Sequence, residues 1–324
     1  MEILLASKSP RRYDIIEAHG VRPVVMPSDA DESLPPDVPK DDPEAVVTYL
    51  ARQKAFEVCG RVGNCDVALG GAPDGSAPIP AGSYGAAAGL PPILVAADTI
   101  VWLDRIIGKP VDENDAFRIL SSYRNRVHEV WTGVTLIERV TGKEDTFAVR
   151  TRVAVGDFTD ADVWEYIRTE QPFDKSGSYA IRSSWGKHIT SVHGGVENVM
   201  GLPWPEVKEH LIPLLKGLAR AILPARTRDR ATAMGVRPTK VSVGNARKRW
   251  GSCNSKGGIR YTWRIMLGDD ADMDYLVVHE LAHLKHLNHS KRYWNFVASV
   301  LPDCKERRKK LRELYRAIER EGWG

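Results

Sequence analysis

The run Ile3-Leu4-Leu5-Ala6-Ser7-Lys8-Ser9-Pro10-Arg11-Arg12, residues 3–12, decides the fold of the first part of this chain. Its apolar start predicts a buried strand, and Ser9-Pro10 is typical of a helix N-cap followed by the first helical position. A helix is expected over residues 13–18, with Gly20 as its stop. A strand that leads directly into a helix N-terminus is typical of an α/β domain.

The pattern continues along the chain. Further helices are predicted at residues 45–58, 115–122 and 160–169, the last with Thr159 as its cap, and strands at 93–97 and 131–139. Strands that alternate with helices predict an α/β fold for this part. A Gly/Ala/Pro-rich stretch near residues 61–92 is expected to be an insertion without a core of its own.

Apolar residues keep helical spacing from Val207 to Ile222. Pro213 is expected to kink or split this helix, and Pro224 to end it. The sequence therefore predicts two domains, at residues 1–222 and 225–324. Their charges differ, because residues 225–324 contain 22 Lys and Arg against 11 Asp and Glu, whereas the rest of the chain has a net charge of −7.

The composition excludes several classes of protein. Of the 324 residues, 43% are hydrophobic and 27% charged, which excludes a mostly disordered or fibrous chain. Four cysteines without a CxxC pair predict reduced thiols and a cytoplasmic location. The first twelve residues do not resemble a signal peptide, and four prolines in the uncharged run 75–97 argue against membrane insertion.

Ser7, Arg11 and Arg12 surround the predicted start of the first helix. Free backbone N–H groups and two guanidinium groups suit a polyphosphate, although an ordinary solvated helix start is the alternative. Asp98 and Thr99 follow the predicted strand 93–97, at the edge of an α/β sheet where ligands usually bind. An ordinary turn at the end of that strand is the alternative.

Two Gly-containing loops add further charges. Lys109 follows Gly108, and Asp174 and Lys175 precede Gly177. Taken singly, each of these loops is more commonly an ordinary surface loop than part of a binding site. Taken together, a cationic cradle and carboxylates that can bind Mg²⁺ fit nucleotide phosphate chemistry.

Residues 2–216 resemble the Maf family of nucleoside triphosphate pyrophosphatases. Six blocks occur in the family's order: LLASKSPRR at 4–12, ARQKA at 51–55, AADTIV at 96–101, GKPVDENDAFRIL at 108–120, FDKSGSYAI at 173–181 and NVMGLP at 198–203. The resemblance implies hydrolysis of a nucleoside triphosphate to the monophosphate and pyrophosphate, with Mg²⁺ or Mn²⁺.

The resemblance also implies roles for individual residues. Asp98 corresponds to the proton acceptor, and the basic positions suited to neutralising the triphosphate are Arg11, Arg12, Lys54 and Lys109. Glu32, Asp174 and Lys175 correspond to other polar residues that line the site. The AADT block with Thr99 resembles the branch that acts on dTTP and UTP. That branch has Gln where this chain has Arg182, which predicts weaker discrimination among bases.

His279-Glu280-Leu281-Ala282-His283 forms an HExxH motif in the second part. On a helix, two histidines four residues apart share a face and can bind one Zn²⁺, with Glu280 as general base. His289 is expected to be the third ligand, with Asn288 ending the helix and His286 continuing along it. The alternative is a helix kept only for packing.

Residues 226–312 resemble the YgjP-like metallopeptidases, related to the SprT and WLM peptidases. The matching segments are RKRWGSCNSKGGIRYTWRIML at 247–267 and YLVVHELAHLKHLNHSKRYW at 275–294. The resemblance implies a small α+β zincin-like domain with a peptide substrate. Trp250, Trp263 and Trp294 are expected to pack around the metal-binding helix, and stacking on nucleic-acid bases is the alternative.

The sequence thus predicts a nucleotide pyrophosphatase joined to a zinc peptidase. One alternative is a regulatory protein that binds nucleotide without hydrolysing it. Another is a nucleic-acid-associated zinc protease, because the run Lys305-Glu306-Arg307-Arg308-Lys309-Lys310 is strongly basic, although such runs are usually solvated helix faces. The oligomeric state, including a homodimer, is left open.

Overall fold

The computed structural model describes residues 1–62 and 89–323. Most of the predicted insertion near 61–92, together with Cys65, therefore lies outside the described residues.

A mixed sheet forms the centre of the N-terminal part. Its strands in chain order are β1 (Glu2–Leu5), β2 (Arg22–Val25), β3 (Ile93–Trp102), β4 (Ile106–Ile107), β5 (Val127–Glu138), β6 (Lys143–Val155) and β7 (Ile189–His193). In the described residues the order across the sheet is β2-β1-β3-β5-β6-β7, with β4 beside β3. β1 is parallel to β2 and β3, and the remaining pairs are antiparallel.

Helices cover this sheet: α1 (Pro10–Ala18), α2 (Pro43–Val62), α3 (Glu113–Ser121), α4 (Asp160–Glu170) and α5 (Val196–Met200). The predicted cap of α4 is confirmed, since Thr159 accepts a hydrogen bond from Asp162 N, and the Asp162 carboxylate accepts one from Thr159 N in return. The first four helices expected from the sequence are α1 to α4, each within a few residues of its predicted bounds.

α6 (Trp204–Met234) is a continuous helix that contains both Pro213 and Pro224. The expectation that Pro224 ends the helix is therefore wrong. Each proline leaves one carbonyl without its helical donor, on Glu209 and Arg220, and both of these residues are exposed so that water can solvate the carbonyls. The opposite face buries an apolar stripe, which offsets a cost of about 3 kcal/mol per interior proline.

The C-terminal part combines a small sheet with helices. It contains β8 (Lys240–Gly244), β9 (Gly251–Cys253), β10 (Gly258–Thr262), α7 (Asp270–Ala282), α8 (Lys291–Val300) and α9 (Cys304–Arg320). β10 lies between β8, to which it is parallel, and β9, to which it is antiparallel. An α/β part followed by a small α+β part confirms the predicted fold class.

The two parts share one hydrophobic core. A single cluster includes Ile3 and Leu5 of β1, Leu211 of α6 and Leu276 of α7. The N-terminal amine of Met1 donates to the carbonyl of Leu267, at 2.6 Å.

The end of the chain also joins the N-terminal part. Trp323 is buried, with its ring edge-on to Trp204 at 6.2 Å. The imidazole of His19 lies between two carboxylates, 2.9 Å from Glu197 and 3.3 Å from Glu321.

Cys253 and Cys304 are free thiols, but Cys59 is disulfide-bonded. The expectation of reduced cysteines is therefore wrong at Cys59. Among the described residues, no helix combines the length and apolar character needed to cross a membrane.

Candidate functional sites

Asp98 lies within β3 rather than at its end, which corrects the expected strand bounds of 93–97. The strand continues because β5 pairs with it along its whole length, with Asp98 opposite Gly133. On its other side, β1 ends at Leu5 opposite Val95. Asp98 therefore lies beyond the carboxyl end of β1, beside the loop that contains Ser7.

Helix α2 crosses the sheet very closely at Gly133. A Cβ atom on Gly133 would lie 2.1 Å from the backbone oxygen of Val47, so only glycine fits there. This close approach brings Lys54, two turns further along α2, to the carboxylate of Asp98.

Lys54 joins two acidic residues. Its Nζ lies 2.5 Å from Asp98 Oδ1 and 2.7 Å from Glu32 Oε1. The side chains of Lys54 and Asp98 are only 14% and 12% exposed, whereas Glu32 is exposed. The hydrogen bond from Lys54 lowers the pKa of Glu32, and the charges of Lys109 and Arg12 lower it further. Asp98 Oδ2 has no hydrogen-bond partner in the described residues.

The guanidinium of Arg12 is held by protein atoms on three sides. Nε donates to Gly201 O at 2.7 Å, Nη1 to Ser7 Oγ at 3.0 Å and Nη2 to Thr99 Oγ1 at 3.0 Å. Burial lowers the pKa of Arg12, and the charge of Asp98 opposes this shift. Three of its five N–H groups are thus used to fix its position, which leaves two for a ligand.

A chain of hydrogen bonds fixes Thr99 in turn. Thr132 Oγ1 donates to Asn198 O at 3.1 Å, so in the 3.0 Å pair between Thr99 and Thr132 the hydroxyl of Thr99 must be the donor. Asn198 is fully buried, and the two N–H groups of its Nδ2 are shared among Val130 O, Val149 O and Thr151 Oγ1. The sequence analysis assigned no role to Asn198. The feature that could have identified it is its position as a polar side chain within the NVMGLP block.

Two loops complete this site. Gly177 N donates to Gly108 O at 3.0 Å, which brings the loop of Lys109 to that of Asp174 and Lys175. Asp174 Oδ1 lies 2.6 Å from Lys175 Nζ. Burial alone would raise the pKa of Asp174. The hydrogen bond from Lys175 and the charges of Lys175 and Arg11 outweigh this effect, so the pKa is lowered.

The structure therefore brings together the residues predicted for the N-terminal site. They are linked by hydrogen bonds or by their charges: Ser7, Arg11, Arg12, Glu32, Lys54, Asp98, Thr99, Lys109, Asp174 and Lys175. Arg11 and Lys109 have no ion pair in the described part of the chain, which leaves both charges available to an anion. Arg182 is exposed in a turn and makes no hydrogen bond or ion pair there either.

The second site is a cluster of three histidines. His279 is on α7, His283 is its C-cap, and His289 lies in the following loop, with their ligand nitrogens all within 4.8 Å of one another. The helix ends at Ala282, so the expectations that Asn288 ends it and that His286 continues along it are wrong. The chain turns instead at His283, where the amide N–H groups of residues 284–286 bond back to the last carbonyls of the helix.

The geometry and protonation of this cluster fit zinc. Nε2 atoms of His279 and His289 are 3.3 Å apart, close to the ~3.3–3.4 Å between two nitrogens that each lie ~2.0–2.1 Å from a tetrahedral Zn²⁺. Burial, then the charges of His283 and His289, lowers the pKa of His279 to about 3, which keeps this imidazole neutral as metal binding requires. His283 Nδ1 lies 3.2 Å from the carbonyl of His286, which would orient its other nitrogen.

Aromatic side chains surround the histidines. Tyr293 donates its hydroxyl proton to His279 O at 2.9 Å, and its ring packs against His283 and His289. Trp294 stacks on His289, with ring centroids 5.5 Å apart. Tyr293 was missed by sequence analysis, although it stands next to Trp294 in the matched segment.

Glu280 is 4% exposed and packs against β9. A Cβ atom on Gly251 would lie 2.5 Å from Glu280 Oε1, so the carboxyl group lies directly against the backbone of this strand. Burial raises the pKa of Glu280 to about 7, and the charge of Arg249 opposes the shift. Within the described residues the carboxyl group accepts no hydrogen bond, so its oxygens are available to a water molecule.

Comparisons with known proteins match both parts. A family model described as "Maf-like protein" matches residues 2–214, and one described as "YgjP-like, metallopeptidase domain" matches residues 199–314. These matches confirm both resemblances found in the sequence.

Curated relatives cover the N-terminal part. The "dTTP/UTP pyrophosphatase" of Agathobacter rectalis is 35% identical over 217 residues, which is 65% of this chain and 96% of that protein. That of Syntrophotalea carbinolica is 36% identical over 64% of this chain and 83% of its own length. A human "Probable bifunctional dTTP/UTP pyrophosphatase/methyltransferase protein" is 32% identical over 65% of this chain and 32% of its own length.

Among solved structures, the metallopeptidase zymogen of Pyrococcus abyssi abylysin aligns with 28% of this chain and 90% of that chain. The identity is 22% and the TM-score 0.26, a likeness too weak to carry an argument.

Proposed function

This chain belongs to the Maf-like family over residues 2–214, and we propose that its N-terminal site hydrolyses nucleoside triphosphates to the monophosphate and pyrophosphate. One observation supports this most strongly: a nearly buried Lys54–Asp98 pair lies among cations that have no ion-pair partner in the described residues. The names of the relatives favour dTTP and UTP as substrates.

The residues suggest how the reaction is divided among them. Lys54 holds Asp98 Oδ1, so Oδ2 is the oxygen that would accept a proton from the attacking water. Arg11 and Lys109 would neutralise the triphosphate, while Arg12 is fixed by Ser7, Thr99 and Gly201 and would add two free donors.

The carboxylates also fit a hard divalent cation. Asp98 and Glu32 lie on either side of Lys54 Nζ, each with a second carboxylate oxygen, and carboxylate oxygens are the ligands that Mg²⁺ and Mn²⁺ prefer. When bound, such an ion would stabilise negative charge on the phosphates.

The test is Asp98→Asn in the full chain, supplied with each nucleoside triphosphate and with Mg²⁺ or Mn²⁺. We expect pyrophosphate release to fall more than 10²-fold, because general-base catalysis is lost, while circular dichroism stays unchanged. Asp104→Asn, in the exposed turn after β3, is the matched control and should keep its activity. Full activity of Asp98→Asn would assign the base to another residue, and tight binding without turnover in the wild type would favour the regulatory alternative.

For the C-terminal part we propose a zinc peptidase. His279, His283 and His289 would hold Zn²⁺ with one position open, and Glu280 would accept a proton from water. A bound zinc ion would lower the pKa of a water ligand to about 7. β9 is at the edge of its sheet in the described residues, so an extended peptide could pair with it beside Glu280.

Metal content tests this proposal directly. We expect about one zinc per chain in the wild type and at least tenfold weaker zinc binding in His289→Ala, because one of three protein ligands is lost. His286→Ala is the matched control, since the carbonyl of that residue, rather than its ring, contacts His283. Glu280→Gln should keep the metal and lose hydrolysis. If the wild-type protein bound no zinc even after the metal was supplied, the peptidase proposal would be contradicted. α7 would then serve only for packing.

Other properties follow as parts of the same proposal. We propose two functional units near residues 1–222 and 225–324, joined by α6, and a cytoplasmic location that supplies nucleotides. Nucleic-acid binding by the basic run of α9 is less favoured, because Arg307 pairs with Asp303 and Asp274, and Lys310 with Asp269.

A further inference from the structure

A cavity of about 430 Å³ lies in the C-terminal part, beside β9. Its lining includes Arg249, Trp250, Gly251, Ser252 and Arg260. The volume falls within the ~300–1,000 Å³ of ordinary ligand pockets. None of the roles described above accounts for this cavity.

The cavity and the proposed catalytic residue are both in contact with Gly251. Gly251 lines it and also contacts the carboxyl group of Glu280, as the 2.5 Å distance from its ideal Cβ position to Oε1 shows. A peptide paired with the edge of β9 would therefore place a side chain near this cavity when its backbone passes Glu280.

The charge of the cavity is positive. Arg249 and Arg260 both line it, and neither makes a hydrogen bond or an ion pair within residues 1–62 and 89–323. Two arginines without a hydrogen bond or ion pair in the described residues line one cavity, and a guanidinium group can donate two parallel N–H bonds to a carboxylate.

We propose that this cavity binds an acidic side chain of the peptide substrate and so determines specificity. The proposal rests on the proposed peptidase function. A peptide is favoured over a nucleic acid because the site is one concave cavity beside a strand edge. A single-stranded nucleic acid needs a groove that follows ~4–16 nucleotides.

Binding to protein without added metal tests the cavity separately from catalysis. Two fluorescent peptides that differ only in Glu or Gln at one position are titrated against the full chain. We expect the Glu peptide to bind roughly tenfold more tightly, the effect of one charge-assisted hydrogen bond. Arg249→Gln and Arg260→Gln should each reduce this preference to less than threefold. Lys256→Gln, an exposed cation outside the cavity lining, should keep it.

Cleavage of the same peptides by zinc-loaded protein separates the two proposals. Cleavage of both peptides at equal rates, with equal binding, would overturn the acidic specificity and leave the peptidase standing. A Glu preference in binding without cleavage of any peptide would support the cavity assignment and count against the peptidase. Displacement of the Glu peptide by a single-stranded oligonucleotide, lost in both arginine variants, would overturn the proposal in favour of nucleic acid.

Discussion

Thr99 shows how a single hydroxyl group can position a cation. It accepts a hydrogen bond from Arg12 and donates one to Thr132, which in turn donates to the carbonyl of Asn198. The sequence marked Thr99 through the AADT block but could not show these hydrogen bonds, because each bonded pair is 33 to 87 residues apart.

Thr99→Val keeps the shape of the side chain and removes the hydroxyl. We expect a loss of about 1–3 kcal/mol in the free energy of unfolding, because Arg12 and Thr132 lose a partner in a partly buried place. We also expect KM for the nucleotide to rise, because Arg12 would no longer be fixed. Urea denaturation and steady-state kinetics measure both effects. Thr169→Val, which removes an exposed hydroxyl bonded within its own helix, is the control. Equal stability of the two variants would contradict the positioning role.

At the scale of elements, α2 and the sheet meet at Gly133. Gly133→Ala would place a methyl group 2.1 Å from the backbone of α2, so the helix must move away. We expect a loss of about 3 kcal/mol or more in stability and at least a tenfold loss of pyrophosphatase activity, because Lys54 moves with the helix. Thermal denaturation and pyrophosphate release measure these effects.

Gly60→Ala is the matched control for that experiment. It lies within α2 itself, and its ideal Cβ position meets nothing within 4 Å. The helix should gain about 0.5–1 kcal/mol from this change. If Gly133→Ala instead kept normal activity, the position of α2 would not be what holds Lys54 at Asp98.

The elements also show what local sequence can and cannot predict. The N-cap of α4 was predictable, because Thr159 and Asp162 satisfy each other within three residues. The continuation of β3 past Asp98 was not, because it depends on β5, about thirty residues away. Pro224 was misinterpreted because packing of the buried stripe of α6 outweighs a local rule. The turn after Ala282 has no local signal, since helix formers continue beyond it.

For the site residues, too, the sequence predicted local features but not contacts between distant parts of the chain. Motifs predicted which residues converge, since each motif places its own chemistry at a strand or helix end. They could not show which cations remain free, because this depends on contacts such as Arg12 with Gly201, 189 residues apart. They also missed Asn198, Tyr293 and the basic cavity beside β9.

At the scale of the whole molecule, Trp323 connects the end of the chain to Trp204. Trp323→Ala should cost about 3–5 kcal/mol, as removal of a buried Trp usually does. Because one core spans both parts, we expect thermal inactivation of the pyrophosphatase and loss of zinc to shift to lower temperature together. Arg316→Ala, an exposed residue of α9, should change neither. Separate transitions, with only the zinc site affected, would show that the two parts unfold independently.

The matches of the two family models overlap at residues 199–214, on and just before the first third of α6. That helix buries Leu211 and Leu215 in the same cluster that contains residues of both parts. A cut anywhere along α6 would leave each fragment with exposed apolar residues that are buried in the intact chain. Because α6 packs against both parts, we expect that neither part could be replaced by that of a relative without redesign of this helix.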